Sequence, residues 1–339
     1  MRVLLLHSGT QDYQAEALFH GLRSLLGLDC VDVPRMDTLY ATLLPADRAR
    51  LRGRGFTLYG LLPDLPELDA CRIRWRNELA AYDVVVIASI WRQWRLLTEL
   101  AIRDVWPKVV LVDGEDHPAF FPYAFHLRRT PRAYWTRYAG RPYFKREWTG
   151  GGDDYGAFAR WLPRALRARL PSPRRARPIS FAIPAEKITD FPRLRKTKDF
   201  PRHLVDPELA AASASLFFSS VGSDRYVFET EGDYYADLRA ARFGVTAKRA
   251  GWDCLRHYEL AANGCILCFR DLERKPPTCA PHGLTAANSV SYRGPDELNR
   301  RVKTMSTAEY EDLLAGSQTW ILDQTTHRLA ERFLVEAVG

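Results

Sequence analysis

The sequence predicts an α/β chain of two Rossmann-like domains facing each other across a cleft, with an N-terminal domain over 1–185, a linker over 186–207 and a C-terminal domain over 208–339. Three observations predict it. Residues 83–89 and 108–113 are unbroken apolar runs, as in parallel strands covered on both faces. Residues 2–6 form another such run, and the 14–26 stretch behind it has helical apolar spacing. Residues 242–268 then read as strand, basic loop, helix and strand, a second α/β unit. A chain of 339 residues also exceeds what one core usually fills, and a prior of roughly 150 residues per domain gives two.

In chain order, the strand over 2–6 leads through a loop over 7–13 into a helix over 14–26. The opening lacks the Gly-x-Gly-x-x-Gly fingerprint, which argues against a classical dinucleotide site. The strands over 83–89 and 108–113 flank a helix expected over 91–105, completing a β-α-β unit. Residues 115–178 are rich in aromatics, arginine, proline and glycine, with Gly150, Gly151 and Gly152 at a turn, and are expected to carry long loops around the cleft. A strand is expected over 178–183, followed by a charged, proline-punctuated stretch that reads as the linker. Further on come a strand over 215–220, a helix over 234–241, the 242–268 unit and a strand over 289–292. Helices over 295–305 and 307–338, the second one broken, complete the chain.

The net charge is +8, carried mostly by arginine. Arg48, Arg50, Arg52 and Arg54 form one cluster, and Arg160, Arg164, Arg167, Arg169, Arg174, Arg175 and Arg177 another. Such clusters attract an acidic acceptor, a nucleic acid or an anionic membrane surface, or they are a solvated helix face and linker; the sequence leaves these open. No apolar run approaches the roughly 18–20 residues that span a bilayer, so a soluble, cytoplasmic protein without a transmembrane segment is expected, peripheral membrane contact remaining open. The six cysteines show no disulfide framework. Cys265 and Cys268, with Cys279 and His282 downstream, imitate a zinc pattern. The first two fall in an expected buried strand, where residues three apart point to opposite faces, so they read as small buried hydrophobes and no metal site is expected.

The 242–268 unit is the part of the chain that speaks most directly to chemistry. Asp253 is a candidate helix cap, and Gly264 a helix stop. That geometry places Lys248, Arg249, Gly251, Trp252 and Asp253 beside unpaired N–H groups and the positive end of a helix, with Arg256 in the first turn: a seat for a diphosphate. Glu259 lies three residues after Arg256 on the same face, placed to accept hydrogen bonds from the hydroxyls of a ribose.

Arg256, Glu259, Gly264, Cys265 and Ile266 together resemble the donor-binding signature of GT-B glycosyltransferases, especially the exostosin-like and spore-coat-type group, which is glycosyltransferase family 1-like. The resemblance is strong over 242–300. It implies that Arg256 and the basic loop hold a pyrophosphate and that Glu259 holds the ribose. Two positions depart from the pattern: Leu267 stands where a proline commonly follows, and Gly251 where the paired-glutamate retaining families have another glutamate.

Ligands of open parallel sheets bind at the carboxyl ends of the strands, where Asp113, Glu115, Asp116 and His117 fall. Three carboxylates and an imidazole there supply a general base or a set of hydroxyl acceptors. Similar loops followed by a Tyr-Phe-Lys-Arg-Glu run, here residues 143–147, occur in relatives of the spore-coat-type group. Lys145 and Arg146 are therefore expected near the cleft, and His7, ending the first strand, is a further cleft candidate. Trp91, Trp94, Trp135 and Trp148 read as stacking faces for sugar or base, or as packing. Asp153 and Asp154 lack the context of a metal motif, so transfer without a metal is expected.

The resulting expectation is a glycosyltransferase that takes a nucleotide-sugar such as a UDP-sugar as substrate, with no cofactor, and acts on a glycan or a modified DNA base. The alternative is a basic nucleic-acid-binding protein without transferase activity, which explains the charge but leaves the 242–268 signature unused. A transferase-like fold that has lost activity is a third reading, raised by Gly251.

Overall fold

The computed structural model of the protein describes residues 1–120, 140–150, 163, 165, 175–212 and 227–338. Its strands are β1 (Val3–Leu6), β2 (Cys30–Val33), β3 (Val84–Ile87), β4 (Val109–Asp113), β5 (Pro142–Lys145), β6 (Arg175–Pro178), β7 (Phe243–Ala247), β8 (Ile266–Arg270) and β9 (Ser289–Tyr292). The first six make one parallel sheet in the order β2-β1-β3-β4-β5-β6, and the last three a second parallel sheet, β7-β8-β9. The helices used below are α1 (Tyr13–Leu26), α2 (Pro45–Arg48), α3 (Asp69–Arg74), α4 (Trp94–Ala101), α5 (Pro207–Ala212), α6 (Glu231–Ala240), α7 (Leu255–Ala262), α8 (Pro295–Thr304), α9 (Thr307–Asp323) and α10 (Thr326–Val338).

The apolar runs become strands because both sheet faces are covered. Val3, Leu5, Val84, Val86, Val110 and Val112 point to one face and pack with Leu18, Phe19 and Leu22 of α1. Leu4, Leu6, Val85, Ile87, Val109 and Leu111 alternate to the other face, against Leu97 and Leu100 of α4. Each such side chain contributes about 1.5–3 kcal/mol on burial, so a run buried on both sides needs no polar alternation. Asp12 starts α1 by accepting from the N–H groups of Gln14 and Ala15, the role expected of a capping carboxylate.

Two elements differ from expectation. The strand expected over 178–183 lies earlier, at Arg175–Pro178, paired with β5. The apolar residues after it cross to the second half instead: Phe181 N–H donates to Asp253, and Ile183 exchanges backbone hydrogen bonds with Gln324 and Thr326. The helix expected over 91–105 is shorter, Trp94–Ala101; the final helix is broken as expected, at Gln324 and Thr325, into α9 and α10. The strand expected over 215–220 lies outside the described residues.

Helix α10 returns to the first half. Leu329, Ala330 and Phe333 join the core beside α1, and the Phe333 and Phe144 rings lie 4.6 Å apart. The chain's last segment thus packs against its first helix and ties the two halves together. No helix among the described residues is long and apolar enough to cross a membrane.

Candidate active site between the two halves

Strand β7 ends at Ala247, and the chain turns through exposed Lys248, Arg249 and Ala250, closed by Arg249 N–H donating to Gly251 O at 3.1 Å. The cap of α7 is Cys254 rather than Asp253. Asp253 is buried and turned away, accepting from Phe181 N–H at 2.8 Å and Tyr258 O–H at 3.0 Å. Its carboxylate is used to join the 178–183 segment to α7, which a capping position would not allow. His257, beneath Cys254, is fully buried; burial opposes its charge, yet the Cys254 and Asp253 side chains prevail and push it up to about 9.

The N–H groups at this helix entrance are not vacant, as the sequence reading had them. Glu147 accepts from Trp252 N–H at 2.9 and 3.0 Å and from Asp253 N–H at 3.1 Å. A side-chain carboxylate of the first half therefore sits where a phosphate was expected. Gly251 permits the approach, since a Cβ there would lie 2.5 Å from Glu147 Oε1. Burial raises the pKa of Glu147, opposed by Arg146 and by these N–H groups.

Arg146 is 1% exposed and holds the joint. Its guanidinium donates to Gly114 O at 2.8 and 3.1 Å, to Asp253 O at 3.0 Å and to Glu147 at 3.1 Å, and it pairs with Asp116. Lys145, also expected near the cleft, is instead enclosed: its ammonium lies 2.9 Å from Asp113 Oδ2, at an angle that makes an ion pair rather than a hydrogen bond. Asp113 is fully buried and accepts further from Tyr143 O–H, from Trp91 Nε1–H at 3.0 Å and from Glu115 N–H at 3.1 Å. It anchors the loop and has no open face toward the cleft.

The loop's other acids differ. Glu115 and Asp116 line a cavity of about 280 Å³ between the halves, with Arg52, Arg92 and Arg146. The starts of two helices also border it, Asp12 and Tyr13 at α1 and Asp253, Cys254 and Leu255 at α7, so positive helix ends and three arginines face four carboxylates. Burial raises the pKa of Glu115, partly offset by Arg92 at 3.8 Å. His117 packs edge-on against Trp91 with ring centres 4.8 Å apart, and burial lowers its pKa.

On α7, Arg256 stands over the Tyr234 ring at 5.5 Å, and Glu259 faces the first half. Glu259 accepts from Tyr234 O–H at 2.6 Å and from the hydroxyl of Thr57, a residue the sequence analysis did not single out. Lys248 and Arg249 lie on the exposed turn, Lys248 5.9 Å from the Trp252 ring centre and Arg249 donating to Val205 O at 3.4 Å. Neither lines the 280 Å³ cavity.

His7 does not line that cavity either. Its Nε2 bonds Pro34 O at 2.7 Å and its Nδ1 accepts from Gly9 N–H at 3.2 Å, while burial lowers its pKa. Trp91, Trp94 and Trp148 pack against the first half's core. Cys265, Cys268 and Cys279 are buried free thiols, and no group of side chains among the described residues could hold a metal ion. Arg48 pairs with Glu231 at 3.0 Å and Arg54 with Glu229 at 2.9 Å, so half of the first arginine cluster neutralises acids of the second half. Trp135, Asp153, Asp154, Gly151, Gly152, Arg160, Arg164, Arg167, Arg169 and Arg174 lie outside the described residues.

Two parallel sheets flanked by helices, with a site at the joint, define the GT-B class: two Rossmann-like domains facing each other across a cleft. No protein-family model matches the chain, and no curated protein matches it in sequence. Among solved structures it is similar to a glycosyltransferase from Rickettsia africae ESF-5, at 9% identity, covering 99% of this chain and 97% of that one, with a TM-score of 0.53. The trehalose-6-phosphate synthase OtsA is similar at 12% identity over 99% of both chains, TM-score 0.52. The N-terminal domain of Candida albicans trehalose-6-phosphate phosphatase is similar at 9% identity over 99% of this chain and 96% of that one, TM-score 0.50. At such identities the likeness is one of fold.

Proposed function

We propose that the protein is a glycosyltransferase that moves a sugar from a nucleotide-sugar donor to an acceptor held between the two halves. The observation that carries this reading is Glu259, a buried carboxylate at the joint that accepts from two hydroxyl groups, one turn after Arg256 on the same helix. That pair is also the core of the exostosin-like and spore-coat-type resemblance, and the fold supports it. Two neighbours of the same fold carry names of sugar-transfer enzymes, glycosyltransferase and trehalose-6-phosphate synthase.

In this reading the donor's diphosphate lies in the 280 Å³ cavity, where Arg52, Arg92 and the start of α7 offset its charge without a metal ion. Glu259 accepts from the ribose, and Arg256 completes the charge balance. Glu115 is the general base for an inverting transfer: it lines the cavity, and burial, only partly offset by Arg92, raises its pKa and with it its basicity. Asp113 and Lys145 position that loop. The acceptor is a glycan or a modified DNA base, and the cell compartment is the cytoplasm.

A thermal-shift screen with UDP, GDP, CDP, ADP and dTDP tests the reading. One nucleotide is expected to raise the melting temperature of the wild type, with the rise lost in Arg256→Ala and reduced in Glu259→Ala. Salt-sensitive DNA or RNA binding with no nucleotide response in any chain would transfer the weight to the nucleic-acid alternative.

A further inference from the structure

Residues 54–57 of the first half reach into the second half in the way the nucleoside part of a ligand would, while Leu58 and Tyr59 return to the first half's core. Phe56 is buried in the second half's core, its ring stacked on Tyr234 with centroids 5.9 Å and planes 24° apart. Thr57, fully buried beside it, donates its hydroxyl proton to Glu259 Oε1 and accepts from Tyr235 O–H at 2.8 Å. An aromatic face on a tyrosine, followed by a hydroxyl on a carboxylate, is the contact pattern of a base followed by a ribose.

The insertion is held by separate contacts and against local strain. Arg54 pairs bidentately with Glu229 at 2.9 and 3.1 Å, Arg48 pairs with Glu231 at 3.0 Å, and Thr57 N–H donates to Glu231 at 2.6 Å. Thr57 has φ of 72°, in the left-handed region that a β-branched residue rarely enters. Arg52, in the same loop, lines the cavity of about 280 Å³ between the halves.

We propose that Phe56 and Thr57 are an internal stand-in for the donor's nucleoside: base and ribose bind on Tyr234, Tyr235 and Glu259, and a nucleotide enters by displacing the 51–57 loop. The inference rests on the donor reading of Glu259 and adds to it the base platform and the competing loop. Binding is then the difference between nucleotide contacts and loop contacts, so a change that weakens only the loop's hold raises apparent affinity.

Calorimetric titration of UDP, GDP, CDP, ADP and dTDP into wild type, Thr57→Ala, Phe56→Ala and Arg54→Ala tests this, with hydrogen exchange followed over 48–59. Thr57→Ala and Phe56→Ala are expected to bind the preferred nucleotide about tenfold more tightly, a change on the scale of one competing hydrogen bond. Arg54→Ala leaves the buried plug intact and is expected to tighten binding about threefold, which keeps the test open if Phe56→Ala does not fold. Exchange of the 51–57 amides should quicken when nucleotide is added. Equal or weaker binding by all three variants, with exchange unchanged, overturns the proposal and leaves the donor site standing. No nucleotide binding by any chain overturns the donor reading itself, and this inference with it.

Discussion

Replacing Gly251 by alanine should destabilise the protein through a residue that is not its sequence neighbour. The added Cβ would lie 2.5 Å from Glu147 Oε1, 2.8 Å from its Cδ and 3.1 Å from Asp116 Oδ1. Ordinary contact needs roughly 3.4 Å, so the Glu147 carboxylate must retreat by about 0.9 Å, stretching its bonds to Trp252 and Asp253 N–H beyond hydrogen-bonding range. Hydrogen bonds to a charged group are worth about 1.5–3 kcal/mol each, and Glu147 is 3% exposed, with little water to replace them. Allowing for partial relaxation, the expected loss is about 2–4 kcal/mol, or about 3–6 °C in melting temperature for a chain of this length. Scanning calorimetry of Gly251→Ala, Glu147→Ala and the double variant measures it. The double variant should cost little more than Glu147→Ala alone, because both remove the same contacts. A melting temperature within about 1 °C of wild type for Gly251→Ala would refute the close approach.

Two further outcomes follow from buried charges. Burial pushes Glu16 up to about 8 from 4.5, against the hydrogen bond it accepts from Tyr59, so the folded protein keeps a proton that the unfolded chain releases. The penalty is absent below pH 4.5 and complete above about 8, so Glu16→Gln should match wild type near the lower limit and exceed it increasingly above, by at most about 4–5 kcal/mol. Urea midpoints near pH 5 and pH 8.5 check this, and a difference that does not grow with pH would contradict it. Lys145→Met leaves Asp113 charged in a fully buried site and should cost about 3–5 kcal/mol, much of it recovered by adding Asp113→Asn. Chemical denaturation of the four chains reads the coupling, and additive losses would show that the pair is independent.

The fold was legible because its signals are local. Unbroken valine and leucine runs at 83–89 and 108–113 need no partner to declare a strand covered on both faces, and Arg256 with Glu259 declares a helical face. The occupancy of the site was not legible, because it is set by pairs far apart in sequence. Glu147 meets Trp252 across 105 residues, and Thr57 meets Glu259 across 202. The Tyr143 to Glu147 run pointed toward the cleft through Lys145 and Arg146, but nothing in its spacing said that Glu147, next to Arg146, would be the residue seated on the α7 entrance. Asp253 shows the same limit: its capping signal was sound by residue type, and Phe181 from another segment took the carboxylate instead. At both joints a group of the first half occupies polar groups of the second, the Glu147 carboxylate on the Trp252 and Asp253 N–H groups and the Thr57 hydroxyl on Glu259. On the donor reading proposed above, affinity for a nucleotide is the surplus of its contacts over these internal ones.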